Sequence, residues 1–107
     1  MSTQGYTEDR KDLLALLPYE EQGIIRKQIL KGEKGNAVVY SIYEGEKLVC
    51  ESFSSRVLLI GLEGEAHLTL GDENFNIGPL VSMTIPEGAE YSLVANTNFK
   101  LLLVSRI

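Results

Sequence analysis

The sequence predicts an all-β sandwich or barrel, and three observations carry that expectation. From Gly23 onward, short apolar segments alternate with turn-forming residues. Gly or Asn stands at the breaks, at Glu44-Gly45, Glu63-Gly64, Gly71-Asp72, Gly78-Pro79 and Asn96 to Asn98. No internal repeat, low-complexity tract or linker interrupts this texture, so one domain accounts for it. Short, evenly spaced strands with such turns are the mark of sandwiches and barrels.

The elements follow in order. Residues 1–8 are polar and are expected to be a flexible N-terminus, with a single domain over 9–107. Asp9 to Leu17 places Leu13, Leu14, Leu16 and Leu17 on one helical face and stops at Pro18, which predicts a short helix of about two turns. So short a helix is stable only when docked. Strands are predicted at 24–30, 36–43, 46–50, 56–62, 66–70, 74–77, 81–85, 90–95 and 99–106. Val57 to Leu62 and Leu101 to Val104 are apolar on both faces, so both strands need cover on two sides. A barrel interior supplies one side, and the N-terminal helix or a second subunit must supply the other.

Composition excludes several classes of partner. The 107 residues suffice for one hydrophobic core, and 23% charged residues with abundant Leu, Ile and Val make the chain globular. A net charge of −5 argues against nucleic acid or an anionic membrane surface, which reward a clustered basic face. The densest basic stretch is Arg26, Lys27, Lys31 and Lys34, broken by Ile29, Leu30 and Glu33, and reads as a solvated strand edge. Cys50 stands alone, which fits a reducing cytoplasm. The N-terminus has neither the basic nor the apolar region of a secretory signal. No apolar run reaches the ~18–20 residues needed to span a bilayer.

Two stretches resemble the paired motifs of the cupin superfamily. The first is Arg56 to Gly71, which contains Leu62-Glu63-Gly64-Glu65-Ala66. The second runs from Gly78-Pro79 through Ile85-Pro86-Glu87-Gly88 to Tyr91 and Asn96, and Asn98-Phe99-Lys100-Leu101-Leu102-Leu103 resembles the closing strand of small single-domain cupins. The resemblance extends from Gly23 to Ile107. It implies a double-stranded β-helix, or jelly-roll, barrel with a short N-terminal helix. Most cupins hold a metal through two His, a Glu and a third His. Anchored on Gly64, the motif places the Glu at Val57 and the two His at Glu51 and Phe53, or at Cys50 and Ser52 under the longer spacing. The Pro86-Glu87-Gly88 anchor places the third His at Tyr91. The stretch from Gly78 to Pro86 is longer than the family's usual spacing.

Chemistry at these positions is sparse. The chain's single His, His67, alternates with Ala66 and Leu68, where the family has no ligand, and reads as a surface or interface residue. Metal binding needs several imidazole, thiolate or carboxylate donors together, and Glu51 with Tyr91 is too few. No metal or other cofactor is therefore expected. The candidate barrel-lining residues are Glu51, Phe53, Val57, Leu59, Tyr91 and Leu93, with period-two alternation carrying positions 59 and 93 to the side of 57 and 91. Arg56 is a candidate rim residue, either pairing with Glu51 or anchoring an anion. Cys50 reads as a packed thiol, and Ser52, Ser54 and Ser55 lack the paired base or nucleophile elbow of a hydrolase.

Three functions are open at this point. The leading expectation is a non-catalytic, metal-free domain whose barrel is filled or binds a small, mostly apolar molecule. An isomerase- or lyase-type enzyme would use Glu51 and Tyr91 as acid and base. An assembly or regulatory module would use its outer apolar face. Homodimerisation is expected from the doubly apolar strands.

Overall fold

The computed structural model describes residues 12–33, 35–50 and 55–105. These form nine antiparallel strands: β1 Ile24–Lys31, β2 Asn36–Ile42, β3 Lys47–Cys50, β4 Val57–Glu63, β5 Ala66–Leu70, β6 Glu73–Ile77, β7 Ser82–Ile85, β8 Tyr91–Ala95 and β9 Phe99–Ser105. Turn chemistry sets the breaks. Gly45, Gly64, Gly71 and Gly88 all take left-handed backbone angles, each at a turn the sequence marks. At Gly64 nothing larger would fit, because a Cβ there would lie 2.0 Å from the Asn98 carbonyl oxygen.

The strands form two sheets. One has five strands in the order β1-β2-β9-β4-β7, the other four in the order β3-β8-β5-β6. Registers put Val38, Leu103, Leu59 and Met83 in one cross-sheet row of the larger sheet. Leu48, Leu93, Leu68 and Phe75 form the corresponding row of the smaller. Directly opposed residues share a face, so each row presents a continuous apolar surface. The two surfaces close on one hydrophobic cluster in which Leu59, Leu68, Leu93, Phe99 and Leu101 are wholly buried.

Two irregularities re-aim the larger sheet. β1 slips register against β2 between Gln28 and Leu30, and β4 slips against β9 between Gly61 and Glu63. An extra residue on one strand bends it locally and strengthens its twist. At the second bulge Gly61 lies against Gly78, where a Cβ would meet the Gly78 carbonyl oxygen at 2.1 Å.

The expected helix differs. Residues 9–11 lie outside the described residues, and Asp12 to Leu17 form a turn in place of a helix. The Ala15 N–H donates to the Asp12 carbonyl at 3.1 Å, and the Leu14 N–H to the Asp12 carboxylate at 3.0 Å. Asp side chains compete in this way with helical hydrogen bonds, and the segment is too short to nucleate against them. It still docks. Leu17 is buried, its carbonyl accepts the Ser41 hydroxyl at 3.1 Å, and the segment crosses the outer face of the larger sheet. Among the described residues, no helix is long and apolar enough to cross a membrane.

Candidate functional site

The barrel interior is the candidate site, and its walls come from both sheets. Val57 and Leu59 project from β4, where Val57 opposes Ile85 and Ser105 and Leu59 opposes Met83 and Leu103. Tyr91 and Leu93 project from β8, opposite Leu70 and Leu68. All four belong to the same buried cluster. Val57 is 1% exposed and Tyr91 3%, so neither touches bulk water. Glu51, Phe53, Ser52, Ser54 and the side chain of Cys50 lie outside the described residues.

The donor chemistry at these positions does not suit a metal. Val57 is a hydrocarbon and cannot coordinate at all. Tyr91 presents a phenol, which is neither an imidazole, a thiolate nor a carboxylate. Of the sequence-assigned ligand positions 51, 53, 57 and 91, only Glu51 carries a conventional hard donor. A transition metal needs more nitrogen, sulfur or carboxylate ligands than this set supplies. Among the described residues, no three His, Cys, Asp or Glu side chains come together. Apart from Tyr91, every member of the buried cluster is a hydrocarbon side chain.

The remaining candidates lie on the outside. Arg56 is exposed at the start of β4. His67 sits on the outer face of the smaller sheet, in the row Lys47, Val94, His67, Asn76. Its Nε2 lies 3.0 Å from the Asn74 Oδ1, which also accepts the Thr69 hydroxyl at 3.1 Å.

A polar cluster on the outer face of the larger sheet escaped the sequence reading. Lys100 is 6% exposed although it is a charged residue, the second of an otherwise apolar strand that ends in Ser105. Its ammonium donates to the Leu14 carbonyl, lies 4.8 Å from the centre of the Tyr19 ring and is 3.9 Å from the Glu63 carboxylate. The Tyr19 hydroxyl donates to the same Glu63 oxygen at 2.6 Å. Burial, the hydrogen bond to Glu63 and the nearby carboxylate charge all push the Tyr19 hydroxyl pKa well above its usual value. The cluster pins residues 14–19 across the sheet. Its sequence signal is a single lysine inside Phe99-Lys100-Leu101-Leu102-Leu103, since a charge buried in such a strand requires partners.

Comparison with solved structures places this architecture. A conserved protein of unknown function from Streptococcus pyogenes matches 90% of this chain and 84% of its own at a TM-score of 0.83 and 21% identity. A cupin superfamily protein from Desulfitobacterium hafniense matches 87% and 85% at 0.84 and 20% identity. An RmlC-like cupin protein from Desulfovibrio desulfuricans matches 90% and 93% at 0.80 and 19% identity. No family model matches the sequence, and neither does any curated protein.

Proposed function

The chain has the cupin fold, and from that premise we propose that it is a non-catalytic, metal-free barrel whose interior is structural core and whose work is done at its surface. One observation carries the reading. Val57 and Tyr91, at two of the positions where cupins hold a metal, are buried in a cluster of hydrocarbon side chains. Well-packed interiors exclude water and leave a polar substrate nothing to bond. The single Cys50 is in keeping with a reducing cytoplasm. The apolar outer face of β4 and β9 supports pairing of two chains.

Elemental analysis of protein purified without chelator tests the reading. It should show far less than one transition metal per chain. Near-stoichiometric Zn, Fe, Mn or Ni that disappears in Glu51→Ala or Tyr91→Phe would overturn it. A small apolar ligand is the second reading, favoured by the same hydrocarbon lining. Native mass spectrometry of protein from cell extract would then show a bound mass that a Leu59→Phe variant loses.

A further inference from the structure

We propose that the free edge of β1 is a docking site for an extended acidic peptide, which adds to the five-stranded sheet as a sixth strand. The proposal rests on the surface-acting reading only in placing the work outside the barrel. A metal found in the barrel would overturn that reading and leave this strand edge as it is.

Three observations carry it. First, β1 ends the order β1-β2-β9-β4-β7, so among the described residues it has a partner strand on one side only. Alternate residues of an edge strand turn N–H and C=O groups outward, and these are what an added strand bonds. Second, β1 is exposed along most of its length, including Leu30 at 64% and Ile24 at 36%. Third, Arg26, Lys27 and Lys31 give β1 three cations and no carboxylate in a chain of net charge −5, so the remainder carries −8. The most cationic strand of an acidic protein therefore lies on an open sheet edge, since β3 and β9 carry one lysine each.

Charge also selects the occupant. Pairing β1 with the β1 of a second copy would bring like cations together along the new ladder, which is how natural edges discourage self-association. An acidic strand meets the opposite field. Register then shapes the partner. β1 pairs regularly with β2 from Ile24 to Gln28 and slips beyond that, so a new strand has this stretch as its regular template. Arg26 and Lys27 are consecutive and face opposite sides of the sheet, so the partner needs two consecutive acidic residues, one for each side. Ile24 and Ile25 ask for apolar, β-branched neighbours. Read antiparallel from Gln28 back to Ile24, the complementary sequence is Thr-Glu-Glu-Val-Val.

The probe is that synthetic pentapeptide, acetylated and amidated, titrated into the full chain labelled for NMR. Amide shifts should concentrate in Ile24–Lys31 and weaken as salt rises. The charge-reversed Arg26→Glu/Lys27→Glu variant, checked for an unchanged fold by its thermal transition, should bind at least about tenfold more weakly. A peptide N-methylated at alternate residues should not bind, because it lacks the ladder donors. Equal binding of Thr-Lys-Lys-Val-Val would overturn the proposal, as would no shifts at roughly 1 mM peptide, a concentration that reveals even millimolar affinity. Concentration-dependent protection of β1 amides without peptide would assign the edge to a second copy and also overturn it.

Discussion

Single residues set what the barrel can hold. The motif resemblance puts Val57 at the glutamate position of a metal-binding cupin, and its neighbours across the sheet are Ile85 and Ser105. A carboxylate there would be charged, dry and without a counter-ion among the described cluster. Val57→Glu should therefore cost about 3–5 kcal/mol, read as a drop in the urea midpoint. An unchanged midpoint would mean that water enters the barrel. Gly64 makes a second test. Alanine would have to hold a φ of +83° with its Cβ against the Asn98 carbonyl oxygen. The left-handed angle alone costs about 1–2 kcal/mol and the overlap adds more, so Gly64→Ala should lose about 2 kcal/mol or more, roughly 10 °C in Tm. A transition within a degree or two of wild type would show that the turn can relax. Both residues are marked in the sequence, Val57 through the motif resemblance and Gly64 through the Glu-Gly turn.

Among the elements, the strap of residues 12–20 owes most to side-chain chemistry. The Tyr19 hydroxyl must keep its proton to donate to Glu63, and its pKa is raised, first by burial and then by that bond. A raised pKa contributes stability in full below the ordinary tyrosine value of about 10, and loses it as pH climbs from there through the folded value. Urea unfolding from pH 8 to 11 should show wild type more stable than Tyr19→Phe by a constant margin up to about pH 10, shrinking above it. A margin flat through pH 11 would deny the bond any role in stability.

At the scale of the whole molecule, the outer face of the larger sheet remains half covered. The strap buries Ser41 and Lys100, while Leu58, Ile60, Leu102 and Val104 stay partly exposed beside it. Contiguous apolar surface of this kind is unusual on a monomer. Two chains paired through it should bury well over ~1,000 Å², the scale of a stable interface. Light scattering at micromolar concentration should then give about twice the 11.9 kDa chain mass. A clean monomer would mean that the strap and the half-burial within one chain are cover enough.

The sequence by itself determined the nine strands, their breaks and the fold, because alternation and turn preference act over a few residues. Every predicted strand has its counterpart, with ends shifted by a residue at most: 56–62 became Val57–Glu63, and 74–77 became Glu73–Ile77. Contacts between distant residues were decided only by the tertiary structure. Lys100 meets Leu14 across 86 positions and Tyr19 meets Glu63 across 44, and no local pattern encodes either pair. The N-terminal segment shows the conflict directly. Its leucines are spaced for a helix, yet Asp12 caps a turn and the sheet beneath offers Leu17 and its carbonyl a place to dock. Helical periodicity is a local preference of a few tenths of a kcal/mol per residue, and it yields when burial and hydrogen bonds to another element are worth more.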